Sequence, residues 1–373
     1  MSRLCKAITL IILALVLASI TGVQGCEGVL SEIEYILTAI PTDPVPGTPL
    51  PPGEAWYRLY FTTPRYPDKA EYHYGGIDEQ LVAVIDQAQK SIDMAAYEFD
   101  LETVAHALVR AKKRGVAVRL VTDTDNMDEE GVTILKKAKI KVVDDARTAI
   151  MHHKFLVIDG AWVWTGSWNL TENGTYRNDN NAILIYSPEL ARNYQTKFDA
   201  MFENNEFGPS RKSGTTDPQL TVQGVQIENY FAPEDEVAAK LVSLIKGAKK
   251  SIHFMAFSFT STDIAQAMKA RSKEGVEVRG VFETRGSDTK YSRYDYFRRA
   301  KLDVVRDGNP YTMHHKIIII DGETVVTGSY NFSTSADEKN DENVLIIHSP
   351  EIAAQYEAEF LRVYETAKNP PKK

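Results

Sequence analysis

A chain of 373 residues, 43% hydrophobic and 25% charged, holds enough apolar material for two ordinary domains, which excludes a disordered or low-complexity polypeptide. Its net charge is −8, and because residues 1–25 carry only Arg3 and Lys6, the remainder carries −10. An acidic body excludes general adhesion to nucleic acid, which needs clustered Lys and Arg, and leaves a local basic cleft as the route to such a partner.

Arg3 and Lys6 precede an apolar run from Ala7 to about Ile20 that is short for a membrane span and is followed by small residues, so residues 1–25 read as a secretory signal. The signal ends at Val23-Gln24-Gly25-Cys26, which resembles a bacterial lipobox, where the Cys becomes the lipidated first residue after cleavage. Cys5 and Cys26 are the only cysteines, so a mature exported protein has no internal disulfide to form, and lipidation gives Cys26 a purpose. Acyl chains contribute about 0.8 kcal/mol per buried methylene, so the protein is expected to be exported and held at a bacterial membrane as a lipoprotein without spanning it. An uncleaved anchor and an ordinary cleaved signal are the competing readings. Six prolines (Pro41, Pro44, Pro46, Pro49, Pro51, Pro52) make residues 26–55 an extended tether.

The rest of the chain is an internal duplication. Ala88-Gln89-Lys90-Ser91-Ile92 returns as Ala248-Lys249-Lys250-Ser251-Ile252, and Met151-His152-His153-Lys154 as Met313-His314-His315-Lys316. Leu81, Val84, Ile85 and Ala88 predict one face of a helix, residues 92–97 a strand, Val104, Leu108 and Ala111 a second helix, and residues 116–122 a second strand; the second half repeats this order. Alternating helices and strands imply an α/β fold: two tandem domains, each a sheet flanked by helices, over 56–205 and 206–373. The polar stretch 203–218 is the expected crossing between them.

After His152 and Lys154 come an apolar run, Asp159-Gly160, a second apolar run, and Gly166-Ser167-Trp168-Asn169. This pattern predicts two strands joined at the Asp-Gly turn, with His152 and Lys154 on one face and His153 on the other. The second copy has His314, Lys316, Asp321-Gly322 and Gly328-Ser329-Tyr330-Asn331. Present twice, H-x-K-x(4)-D-x(6)-G-S-x-N resembles the HKD signature of the phospholipase D superfamily, over roughly residues 56–365.

The resemblance implies mixed sheets, a pseudo-twofold pair of domains whose motifs share one cleft, and phosphoryl transfer through a phosphohistidine. One chain then supplies both halves, as a monomer containing an intramolecular pseudo-dimer. Histidine is a competent nucleophile and acid near neutral pH. Lys154, Lys316, Asn169 and Asn331 would supply donors to the nonbridging oxygens of a phosphodiester. Ser167 and Ser329 are expected either to add hydroxyl donors or to shape the turn. Asp159 and Asp321 are expected to be structural, binding backbone at the Asp-Gly turn. No cofactor or metal is expected, because the paired histidines have no companion Cys or carboxylate at ligand spacing.

Family members commonly carry an acidic residue that orients the motif histidine. Glu342, in Asn340-Asp341-Glu342-Asn343, fits that place and is expected to serve His314, whereas the first copy has Asn180 in Asn178-Asp179-Asn180-Asn181. On that basis His152, left without a carboxylate, is expected to be the nucleophile and His314 the acid; Asp179 is the alternative carboxylate. Residues 285–301 interleave Arg285, Lys290, Arg293, Arg298, Arg299 and Lys301 with aromatics. They read either as an amphipathic helix with a solvated basic face or as a patch contacting a lipid headgroup or nucleic-acid bases. The signal, the anchor and the acidic body favour a phospholipid at a membrane surface as the substrate. An exported metal-independent endonuclease and a phosphatidyl transferase are the alternatives, and a binding protein that has lost catalysis is disfavoured by the intact His and Lys pairs.

Overall fold

The computed structural model describes residues 55–210 and 217–371. The expected signal, Cys26 and nearly all of the tether therefore lie outside the described residues, as does part of the expected crossing. Among the described residues no helix is long and apolar enough to cross a membrane.

Local sequence accounts for the elements. Helix α1 (Ile77–Gln87) buries Ile77, Leu81, Val84 and Ile85, and α2 (Glu102–Lys113) buries Val104, Ala105, Leu108 and Ala111, the one-sided spacing of a helix lying on a sheet. Strands β5 (Lys154–Ile158) and β6 (Trp162–Gly166) are joined through Asp159 and Gly160, whose φ values of 54° and 65° are those of a tight hairpin turn. Asp321 and Gly322 repeat this, at 57° and 69°, between β15 (Lys316–Ile320) and β16 (Thr324–Gly328).

The first half completes its sheet with β1 (Tyr57–Phe61), β2 (Ser91–Ala96), β3 (Ala117–Thr122), β4 (Lys141–Asp144) and β8 (Asn181–Tyr186), in the order β1-β8-β6-β5-β2-β3-β4. β2, β3 and β4 run parallel, while β5, β6, β8 and β1 pair antiparallel, so the sheet is mixed. The second half repeats the arrangement with β10 (Val225–Ala232), β11 (Ser251–Ala256), β12 (Glu277–Phe282), β13 (Asp303–Arg306) and β17 (Glu342–His348), and adds β9 (Gln219–Val222) at its edge.

Each sheet has an outer face covered by its own helices and an inner face turned to a core common to both halves. The repeated Ser-Pro dipeptides start the two helices that fill it: Ser187 and Ser349 accept from the backbone N–H of Leu190 and Ile352 at the heads of α4 (Pro188–Asn204) and α10 (Pro350–Lys368). Phe155, Ile183, Tyr194 and Phe198 from the first half and Ile317, Leu345, Tyr356 and Phe360 from the second belong to one continuous buried cluster. Charge is buried there too. Asp341 accepts from Lys197 Nζ at 2.8 Å and from the Gly208 N–H, and pairs with Arg147; its counterpart Asp179 pairs with Arg362 and accepts from Asn309.

Residues 285–301 do not form one helix. They hold two short ones, α7 (Thr284–Ser287) and α8 (Tyr294–Arg299), the latter sinking Phe297 into the outer core of the second half and leaving Arg298 and Arg299 exposed.

Candidate active site

The strand ends bring the repeated motifs to one place. β2 ends at Ala96, β5 begins at Lys154, β6 ends at Gly166 and β8 begins at Asn181, so Tyr97, Glu98, His152, Lys154, Ser167 and Asn169 gather at one sheet edge. Gly166 permits the close approach: a Cβ there would sit 2.3 Å from the Asn181 carbonyl oxygen, and one at Gly328 would sit 2.2 Å from that of Asn343. Without those glycines, β6 and β16 could not deliver Ser167 and Ser329 against the neighbouring strands.

The two edges are then locked together. β7 (Asn178–Asp179) pairs in parallel with β14 (Thr312–Met313), and Met151 forms a bridge with Asp341. The His152 N–H donates to the Asp341 carbonyl at 3.0 Å, and the His314 N–H to that of Asp179 at 2.9 Å. Each histidine is therefore held by backbone of the opposite half.

Their side chains cross over in the same way. Glu342 lies against His152, not His314: Nδ1 of His152 is 2.8 Å from both Glu342 oxygens. His314 instead places Nδ1 2.9 Å from Asn180 Oδ1. The expectation that Glu342 serves the histidine of its own motif is thus corrected, because the parallel pairing between halves carries each histidine past its own loop to the partner's. Asp179 is engaged by Arg362 and Asn309 and faces neither ring. Asn180 Nδ2 donates to the Gly174 carbonyl, which turns Oδ1 toward His314 and fixes the proton of that ring on Nδ1. Ser329 donates to Glu342 at 2.6 Å and Ser167 to Asn180 at 2.9 Å, so each motif serine braces the group that holds the other half's histidine.

Lys154 and Lys316 each donate to the carbonyl of their own motif histidine at 2.9 Å, and lie over the rings of Tyr97 and Phe257. Both are 2% exposed, which makes the site a buried concentration of cation donors. Burial lowers both histidines well below the ordinary imidazole value, and the two lysine charges lower them further, so both rings are neutral near pH 7. Burial likewise pulls Lys154 down to about 8, with Glu342, Glu98 and Asp123 opposing, and Lys316 well below its usual range, with Lys154 adding to the drop. Glu342 is pushed up to about 8 by burial, opposed chiefly by Lys154 and Ser329. A positive charge arising on the His152 ring, 2.8 Å away, draws that carboxyl toward its ionised form.

Asp159 and Asp321 lie at the far ends of the strands, away from the histidines. They do not bind their own Asp-Gly turns. Asp159 accepts from the N–H groups of Gln89, Lys90 and Ser91, and Asp321 from those of Lys249, Lys250 and Ser251, clamping the turn that precedes β2 or β11. Burial would raise Asp321, but its three backbone donors outweigh that and hold it below the ordinary carboxylate value.

Sequence reasoning missed Glu98. Asn169 donates its amide to Glu98 Oε2, and the Glu98 charge acts on both Lys154 and Lys316. The signal was available: Glu98 falls in Ala96-Tyr97-Glu98-Phe99 where the second copy reads Ala256-Phe257-Ser258-Phe259.

Two interlocked α/β halves presenting paired His and Lys to one buried edge define the class of two-motif HKD proteins. The family described as "Cardiolipin synthase, PLD-like domain" matches residues 81–202 and 241–364, and the chain belongs to it. The chain is similar to the phospholipase D of Rickettsia conorii, 34% identical over 131 residues, covering 35% of this chain and 66% of that protein. It is similar also to the mitochondrial cardiolipin hydrolase of Xenopus tropicalis, 32% identical over 140 residues, 37% of this chain and 66% of that one. The matched regions thus fall just short of two thirds of these relatives. In fold the chain resembles the crystal structure of phosphatidylserine synthase from Haemophilus influenzae, with a TM-score of 0.61 at 13% identity over 82% of this chain and 86% of that one.

Proposed function

We propose that this protein is a phosphodiester hydrolase of phospholipase D type, which cleaves the headgroup phosphodiester of phospholipids through a phosphohistidine on His152. The observation that carries the reading is the unequal pair of histidine partners, Glu342 on His152 and Asn180 on His314, at a site furnished with two buried lysines. The nucleophile assigned from sequence is kept, but on the opposite premise. Attack by His152 Nε2 on phosphorus leaves the ring positively charged, and a carboxylate on Nδ1 stabilises that charge. A neutral amide on His314 Nδ1 gives its imidazolium no such stabilisation and makes it the stronger acid.

His152 Nε2 forms the P–N bond as the P–O bond to the headgroup breaks, and the departing oxygen takes the proton from His314 Nε2. Lys154, Lys316, Asn169 and Asn331 donate to the nonbridging oxygens. Water then attacks phosphorus and gives its proton to His314, the P–N bond breaks, and phosphatidate leaves. Phosphate anion bound between the lysines raises the basicity of both histidines, which lets His314 acquire the proton that burial and the lysine charges otherwise keep off it.

Trapping separates the roles. With a p-nitrophenyl phosphodiester, whose leaving group needs no proton, His314→Ala should accumulate phosphoenzyme and His152→Ala should form none; phosphate found on His314 in the wild type would overturn the assignment. Assayed side by side at physiological salt, phospholipid should be cleaved at least tenfold faster than DNA, about 1.4 kcal/mol in barrier. The reverse ranking would favour an endonuclease.

A further inference from the structure

Two loops have no match in the other half. In the first half residues 62–76 connect β1 to α1, whereas residues 233–236 alone connect β10 to α5 (Val237–Lys246) in the second. In the second half Arg285-Gly286-Ser287-Asp288-Thr289-Lys290 stands where the first has Asp125-Asn126-Met127-Asp128-Glu129-Glu130, so that Asp125 and Glu130 give way to Arg285 and Lys290. Arg298, Arg299 and Lys301 are no part of this difference, since Lys136, Lys137 and Lys139 match them.

Both loops lean on residues 306–311. Arg306 pairs with Asp288 at 2.6 Å, and Asp307 accepts from the Thr284 N–H. At the other end of the segment the Tyr311 hydroxyl accepts from the Asp68 N–H at 2.9 Å, and its ring packs against Tyr66. Anchors so close in sequence lie within about 20 Å of each other. The segment runs on into Thr312, Met313 and His314, and Thr62 accepts from the Asn180 N–H at 2.7 Å. The loops therefore sit on the strand ends that carry the histidines, beside the cleft.

What they expose is of one kind. Among the described residues four large hydrophobic or aromatic side chains are exposed, and three are tyrosines of these loops: Tyr66, Tyr74 (64%) and Tyr291 (63%). Each loop sets a cation against its rings, Arg65 over Tyr72 and Tyr74, and Lys290 over Tyr291 at 5.0 Å. Arg65, Arg285 and Lys290 pair with no carboxylate among the described residues, on a chain whose Arg110, Arg119, Arg177 and Arg362 all do. Tyrosine suits the bilayer boundary, where the ring meets acyl chains and the hydroxyl meets water, and unpaired cations beside it are drawn to anionic headgroups. A nucleic acid asks instead for a continuous cationic track, which two separate loops on an acidic body do not offer.

We infer that residues 62–76 and 285–291 form a docking face for the surface of an anionic phospholipid bilayer, which the first half meets with Arg65 and Tyr74 and the second with Lys290 and Tyr291. The face holds no headgroup and takes no part in the chemistry; it sets which side of the cleft is turned to the membrane. Delivery of substrate from that surface rests on the phospholipid reading proposed above.

The test uses the full-length protein incorporated in vesicles of phosphatidylcholine, alone or mixed with phosphatidylglycerol, whose acyl chains are brominated to quench indole emission. Tyr74→Trp and Tyr291→Trp each add one emitter at an exposed position to the four tryptophans of the wild type. In the mixed vesicles each variant should be quenched beyond the wild type, and little in phosphatidylcholine alone or at high salt, where the attraction is screened. Adding Arg65→Gln and Lys290→Gln together should lower the ratio of docked to undocked protein about twentyfold, at about fivefold per cation. Hydrolysis of a soluble p-nitrophenyl phosphodiester should stay unchanged. Emission that follows the wild type in every vesicle overturns the inference. So does equal quenching in neutral and anionic vesicles, or a response to single-stranded DNA in place of vesicles, which marks a nucleic-acid face. The two tryptophan variants decide even if the Gln variants fold poorly. Extra quenching in a protein that hydrolyses the soluble diester but no phospholipid sinks the phospholipid reading and leaves the docking face standing.

Discussion

Replacing Glu342 by Gln preserves the shape of the site and an acceptor for His152 Nδ1, and removes only the charge. The carboxyl is wholly buried, 2.8 Å from the ring and braced by Ser329, so solvent screens it little. A charge-assisted hydrogen bond of this kind is worth roughly 1.5–3 kcal/mol, and the direct attraction to a charged ring about 4 Å away at an effective dielectric of 20 is about 4 kcal/mol as an upper bound. Taking about 3 kcal/mol for the step that creates the ring charge, phosphoenzyme formation should slow by about 150-fold. Rapid quench with a p-nitrophenyl phosphodiester measures that step without involving the acid. The complementary change, Asn180→Asp, puts a carboxylate beside His314. Burial lowers both histidines; attack needs His152 neutral and departure needs His314 protonated, so the falling limb of the pH–rate profile belongs to His314. Asn180→Asp should raise that ring's basicity and move the falling limb upward by about one pH unit for an alkyl leaving group. A phosphoenzyme rate in Glu342→Gln within threefold of wild type, or an unmoved falling limb in Asn180→Asp, would refute the assignment of nucleophile and acid.

Other outcomes follow from the same geometry. Because buried lysines supply the positive charge at the site, EDTA should leave turnover unchanged, and activity lost to chelator and restored by one divalent ion would contradict the scheme. Asp321→Ala removes the acceptor of three backbone N–H groups and should cost about 2 kcal/mol of stability by chemical denaturation. Since that carboxyl is held below its unfolded value, its contribution is present above about pH 4 and is lost as the pH falls through the carboxylate range, so the gap between variant and wild type should close in acid. In the native host, Cys26→Ser should move the protein from the membrane fraction to the soluble one or block its processing; unchanged fractionation with normal processing would rule out a lipid anchor.

The repeat and the strand pattern made the architecture legible, because offsets such as Ser91 to Ser251 mark matching elements and because residues alternating along 154–158 show which side chains share a face. Interactions within one half were partly legible, those between halves were not. Spacing along a chain shows that Glu342 follows His314 by a short distance, but not that the β7–β14 pairing carries His152 to it. Asp159 shows the same limit within one half. Its turn position was visible, while its partners, near residue 90, are set by the sheet order. Glu98 was visible as a mismatch between the copies and acquires meaning only when Asn169 is seen against it.

The common core beneath the two sheets has a consequence for what the site can become. Were the halves two identical chains, symmetry would place every side chain at the cleft twice: two glutamates against two histidines, or two asparagines, and a Glu98 on both flanks. Joining them end to end around one apolar interior preserves the packing of such a dimer while freeing each position from its copy. Division of labour between an attacking and a proton-giving imidazole is an option that covalent linkage opens and strict symmetry forbids.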